Sequence, residues 1–145
     1  MFMNMMIIHH DQAIRMAGLA SNRTDNQDVL SLAQNISEAQ RKENEQMADW
    51  LRSQGYQRPT RGHRMAGMAS EAEMQRLGES RGSEFDALFA ELMIEHHNGG
   101  IQMARSEVRN GNHQGLVSLA QGMVETQTRE VELMERWSVA ENVAR

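Results

Sequence analysis

The feature that most constrains this chain is that it is written twice. MIIHHDQAIRMA at residues 6–17 returns as MIEHHNGGIQMA at 93–104, and LAQNISEAQRKENEQMADW at 32–50 returns as LAQGMVETQTREVELMERW at 119–137. Both offsets are 87 with no gap, and residues 1–50 match residues 88–137 at 19 of 50 positions. A repeat of that span means one supersecondary unit used twice. Whatever residues 1–54 fold into, residues 84–145 fold into again, with 55–83 as the connector.

The periodicity of the unit is helical. Val29, Leu32, Ile36, Gln40, Glu43, Met47 and Trp50 recur at spacings of three and four, and Leu116, Leu119, Met123, Gln127, Glu130, Met134 and Trp137 repeat them. Earlier in the unit, Phe2, Met6, His9, Ala13 and Ala20 share one face, with Met3, His10 and Ala17 beside it. Phe89, Met93, His96, Gly100, His97 and Ala104 form the matching face. Thr24 or Asp25 can cap the second helix and Gly55 can end it. Ser83 with Asp86 spells a capping box, as do Ser70 and Glu73, and Asn112 can open the last helix. This predicts helices near 1–21, 27–54, 84–110 and 114–141, with a short one over 71–77 in the connector. The fold class is therefore all-α, a ferritin-like four-helix bundle of two duplicated hairpins. Short loops make the helices of each hairpin antiparallel neighbours, and the long connector suits a crossover, with a simple up-down-up-down order as the alternative.

The composition narrows the function classes. One domain of 145 residues buries a real core. There is no cysteine, so disulfides and thiolate metal sites are excluded. The net charge is -5 and the basic residues, all arginine except Lys42, are scattered, so no nucleic-acid footprint is present. No run of eighteen apolar residues spans a membrane. The apolar start MFMNMMIIHH lacks a basic leader and a cleavage site, and it lies inside the helical pattern, which predicts that an upstream segment has been removed. Thirteen methionines are an excess, and a thioether both fills core gaps and ligates soft metals.

The seam itself is polar where an apolar residue is expected. Gln40, Glu43, Gln127 and Glu130 face the same interior as His9, His10, His96 and His97. From His9 to the hairpin loop is about 18 Å of helix at 1.5 Å per residue, and the same distance back along the second helix reaches Gln40. Both histidine pairs and both Gln–Glu pairs therefore belong to one level, at the bundle centre. Carboxylates taken out of water need a partner, a proton or a metal. Four imidazoles near two carboxylates invite a transition metal, with Glu43 and Glu130 counted among the candidate metal residues and suited to fixing the rings, and with Gln40 and Gln127 behind them. Met6, Met16, Met47, Met93, Met103 and Met134 lie about one turn away, and a His/Met mixture favours copper(I) over harder ions. The plainer readings are a metal-free His–Glu network, methionines that only pack, and tryptophans 50 and 137 as core anchors near helix ends. His113 is solvated or near a cap. In the connector, His63, Met65 and Met68 form a candidate surface capture cluster, or an ordinary loop.

The repeated HH…MA followed by LAQ…Q..E.E..M..W resembles the bacterial domain-of-unknown-function family numbered 305, over nearly the whole chain. That resemblance implies a ferritin-like fold, export to the cell envelope or beyond, and copper binding in some members. It carries the motif histidines onto His9, His10, His96 and His97. The motif methionines fall on Met6, Met16, Met93 and Met103, and the second-helix positions on Gln40, Glu43, Met47, Gln127, Glu130 and Met134. The second copy has Gly100 for Ala13 and Asn98 for Asp11, so the halves need not bind equally.

Three functions compete at this stage. The first is a copper-binding protein for buffering or tolerance, with the metal ion as its partner. The second is a di-iron oxidoreductase on the same fold, but Met6, Ile7, Met93 and Ile94 stand where Glu-x-x-His would need glutamate. The third is a metal-free structural or ligand-binding bundle. No nucleophile triad or phosphate loop is spelled, and no residue is assigned a catalytic role.

Overall fold

In the computed structural model, the backbone is described for residues 1–144 and the side chains for residues 1–137. Arg145 and the side chains beyond Trp137 lie outside the described residues. The helices are α1 (Phe2–Gly18), α2 (Gln27–Ser53), α3 (Glu71–Glu79), α4 (Gly82–Asn110) and α5 (Gln114–Ala144), with a 3-10 turn at Ala20–Asn22. No strand occurs among the described residues.

The core sorts into two apolar clusters that fix the helix directions. Phe2, Met6 and Ile7 at the start of α1 pack with Met47 and Leu51 at the end of α2, with Ala104 late in α4, and with Leu116 and Met123 early in α5. Ala13, Met16 and Ala17 at the end of α1 pack with Val29 and Leu32, Phe85 and Phe89, and Met134. Thus α1 and α5 run one way, and α2 and α4 the other. The connector leaves α2 at one end of the bundle and enters α4 at the opposite end. That is the crossover of a ferritin-like bundle, and it removes the up-down-up-down alternative. Phe85 and Phe89 are fully buried with ring centroids 5.7 Å apart. Each such side chain contributes about 1.5–3 kcal/mol by leaving water.

The helix ends show where local chemistry was legible. Gly55 adopts φ +85° after α2. Its N–H reaches the Arg52 carbonyl at 3.0 Å while Tyr56 N–H reaches that of Leu51 at 2.9 Å, a Schellman close. The Ser70–Glu73 capping box opens α3 as expected. Three other caps differ. Asn26, not Thr24 or Asp25, accepts from Asp28 and Val29 N–H, because the 3-10 turn carries the chain further and Thr24 Oγ1 is taken by Asn26 N–H at 3.1 Å. Ser83 does not cap α4, which begins at Gly82 without a side-chain cap; Asp86 instead accepts from Asn26 Nδ2 at 3.3 Å. At α5, His113 takes the place expected of Asn112, its Nδ1 accepting from Leu116 N–H at 2.9 Å and its ring lying 4.9 Å from that of Trp50.

The connector lies along α1 and α4 through polar and backbone contacts. Arg58 pairs with Asp11 at 2.8 Å, and Gln12 makes two bonds with the backbone of Ala69, donating at 2.9 Å and accepting at 2.8 Å. Gly82 N–H closes the run on the Arg23 carbonyl at 2.7 Å.

Candidate metal centre

Midway along the bundle, α1 and α4 cross at their histidine pairs. The helical repeat turns His9 and His96 toward each other, and their ring centroids are 3.8 Å apart. His10 and His97 point to the partner helix of their own hairpin. His10 Nε2 donates to Glu43 at 2.7 Å, and His97 Nε2 donates to Glu130 at 2.8 Å. These two pairs are related by 87 residues at both ends. All four rings are buried, each at 1% exposure or less. Glu43 and Glu130 are only partly so, with side-chain exposures of 17% and 12%, and they sit at the rim rather than in the interior. A carboxylate that keeps some water avoids most of the desolvation cost that full burial would impose.

Burial lowers the His9 pKa to about 4, helped by the neighbouring His10. Burial also drives His96 well below the ordinary value, with His9 as the next cause. Both rings are therefore neutral at pH 7, and each carries one nitrogen lone pair. An acceptor oxygen facing Nε2 requires that nitrogen to hold a proton, which leaves Nδ1 of His10 and His97 as the ring nitrogen turned away from the carboxylate. Both Nδ1 atoms are buried without a hydrogen-bond partner, as are His96 Nε2 and Gln40 Oε1. Asn44 Oδ1, one residue past Glu43, is a fifth such atom. Buried polar atoms are ordinarily satisfied, so five orphans near one level are an exception that calls for a cause.

The methionines divide around this layer. Met6 and Met47 are buried on one side with Met103 half-buried beside them, and Met16, Met93 and Met134 are buried on the other. Each trio takes two residues from one hairpin and one from its partner. Met123, which the sequence reading placed on the seam but not in the site, joins the first group. Gln40 and Gln127 are buried at the histidine level, and a methyl group on Gly100 would lie 2.8 Å from Gln127 Oε1 and 3.2 Å from His9 Cε1. Outside the core, His63 is exposed and Met65 and Met68 are half-buried in one turn, where Met65 N–H faces the Met68 sulfur at 3.4 Å. Among the described residues no three histidine or carboxylate side chains converge to hold a metal by themselves. A metal here would draw on thioethers as well.

Sequence reasoning missed Gln12, Asn44 and Ala66. Asn44 is buried and donates to the Ile7 carbonyl at 3.3 Å and to Asp11 at 3.0 Å, while the Ala66 carbonyl faces His9 Nε2 at 3.1 Å. The signal for the first two was divergence within the repeat: Gln12 and Asn44 become Gly99 and Val131.

Comparison with known proteins agrees with this architecture. A DUF305 protein of Streptomyces coelicolor, described as a candidate secreted protein, is 35% identical, with a TM-score of 0.87 over 92% of this chain and 86% of its own. A DUF305 fragment from Deinococcus radiodurans is 33% identical, with a TM-score of 0.85 over 92% and 90%. CopM in its copper(I)-bound form is 27% identical, with a TM-score of 0.79 over 94% of this chain and 91% of that one. CopM has also been solved with copper(II) and with silver. No curated protein matches the chain. The model of the family described as Domain of unknown function (DUF305) matches residues 1–138, and the chain belongs to that family.

Proposed function

We propose that this protein binds copper(I) as cargo, in a buffering or tolerance role, through the histidine layer and the thioethers on either side of it. The observation that carries this reading is the set of partnerless ring nitrogens, His10 Nδ1, His97 Nδ1 and His96 Nε2, buried in the core. Imidazole and thioether donors without thiolate or abundant carboxylate suit a soft monovalent ion. His9, His10, His96 and His97 supply nitrogen, and Met6, Met47 and Met103 or Met16, Met93 and Met134 supply sulfur. Glu43 and Glu130 hold two of the rings by the nitrogen that does not ligate. Gln40 and Gln127 lie behind the rings, and His63, Met65 and Met68 offer a surface point of capture. The copper(I)-bound CopM, similar over nearly the whole chain, supports this reading. The secreted description of the Streptomyces relative supports a site of action outside the cytoplasm.

The test is elemental analysis of untagged protein purified without chelator, followed by copper(I) titration against a chromophoric chelator. Copper should be retained, and replacing His10 and His97 together by leucine should abolish competition with the chelator. If iron is retained instead and the protein consumes oxygen, the di-iron reading replaces this one. If no metal binds, the histidines are a structural network.

A further inference from the structure

The middle of the connector does more than carry the chain from α2 to α4. Residues 66 and 67 lie against the backbone of α4 at the level of the histidines. A methyl group on Gly99 would overlap the Ala66 carbonyl, and one on Gly67, itself at φ +80°, would overlap the Glu95 carbonyl. Only two glycines facing each other permit so close an approach. On the other flank, Gln12 grips Ala69 through both ends of its amide, at 2.9 and 2.8 Å. At the first of these fixings the Ala66 carbonyl also faces His9 Nε2 at 3.1 Å. A carbonyl can only accept, so it selects the ring form with the proton on Nε2 and leaves the lone pair on Nδ1. Nδ1 is the nitrogen on the Gly100 side, where a methyl group would come within 3.5 Å of it. His10 and His97 are held at the same ring nitrogen, Nε2, by carboxylates, and His9 is held there by the connector.

We infer that the connector is a positioning strap: clamped by Gln12 and seated through Gly67 and Gly99, it uses the Ala66 carbonyl to fix the tautomer of His9 with the Nδ1 lone pair toward the bundle interior. Gln12, Gly67 and Gly99 act through His9 and touch no metal in this scheme. The inference deepens the copper(I) reading and rests on it only for its consequence for affinity, because the tautomer exists in metal-free protein.

The experiment is nitrogen-15 NMR of the histidine rings in metal-free full-length protein, parent against Gly99→Ala and Gln12→Leu, with copper(I) competition on the same samples. In the parent, His9 should show protonated Nε2 and unprotonated Nδ1. Both variants should move His9 toward a mixture of tautomers, leave His10 and His97 unchanged, and weaken copper(I) binding by about 10–100-fold, the usual cost of losing a group that orients a ligand. Should Gly99→Ala fail to fold, Gln12→Leu carries the test, since it removes the clamp without adding bulk at α4. A parent His9 protonated on Nδ1, or a tautomer unchanged in a folded variant, would overturn the strap. A tautomer that shifts as expected in a protein that never binds copper would keep the strap and overturn the proposed function instead.

Discussion

His9 and His96 occupy equivalent positions in the two repeats, and their rings meet with centroids 3.8 Å apart where α1 crosses α4. Two imidazoles so placed and buried cannot both be charged. Burial comes first among the causes and the neighbouring rings second, and together they hold His9 at about 4 and His96 well below its ordinary value. The unfolded chain takes up these protons near pH 6.5, whereas the folded chain refuses them. The stability they contribute is thus complete above about pH 6.5 and is lost as the pH falls toward 4. For His9 alone the loss across that window is about 3 kcal/mol. Urea unfolding of metal-free protein at pH 7 and pH 4.5 should show it, and His9→Gln should flatten the dependence. A parent and variant with parallel pH profiles would contradict the assignment.

Glu43 and Glu130 anchor rings from the rim, so their removal should be felt more by a ligand than by the fold. Glu43→Gln keeps an acceptor for His10 Nε2 and should cost no more than about 1.5 kcal/mol of stability. The weaker bond orients the ring less firmly and should lower copper(I) affinity by roughly tenfold. Glu130→Gln should act alike on His97. Denaturant titration and chelator competition on the same preparations separate the two effects.

The methionine trios are tested by a swap that preserves volume. Met6→Leu with Met93→Leu should change stability by less than about 1.5 kcal/mol, because leucine fills a similar space in a well-packed core. Copper(I) affinity should fall, and silver affinity with it, since both ions prefer the thioether. Unchanged titrations would assign these sulfurs to packing alone.

Two glycines in helix interiors should answer the same substitution with opposite signs. Gly122 has open space where a Cβ would go, so Gly122→Ala should stabilise by about 0.5–1 kcal/mol through helix propensity. Gly99 has the Ala66 carbonyl there, so Gly99→Ala should destabilise despite the same propensity gain. Thermal unfolding of the pair reads both. If both variants are stabilised, the connector is not seated where the structure puts it.

The helix caps offer a finer check. Asn26→Ala removes the two bonds that open α2 and should cost about 1 kcal/mol. Ser83→Ala, in a box that does not form, should stay within about 0.5 kcal/mol of the parent.

The architecture was legible because its signals are periodic and doubled. A seam such as Val29–Leu32–Ile36 repeated at Leu116–Leu119–Met123 leaves little freedom of fold, and helix rise alone sets the histidine pair opposite the Gln40–Glu43 stretch, where His10 meets Glu43. Caps were less legible, because Thr24, Asp25 and Asn26 all have the chemistry and only the path of the preceding turn decides among them. The rim position of Glu43 and Glu130 was not visible, since a seam pattern distinguishes faces and not depths. Least visible was the role of Ala66, which acts through a backbone carbonyl that every residue possesses. The exchange of Gln12 for Gly99 was the one trace of it in the sequence.

That exchange follows from what a strap is. Positions 12 and 99 are equivalent in the sequence repeat, and residues 66–69 of the connector lie against both. A polypeptide strand has a direction, so it cannot present the same atoms to both copies of a repeated helix. Ala69 therefore bonds with Gln12 of α1 while Ala66 and Gly67 lie against Gly99 and Glu95 of α4, with different atoms presented to each helix. At this crossing the duplicated halves cannot remain alike: position 12 has to hold the strand, and position 99 has to make way for it.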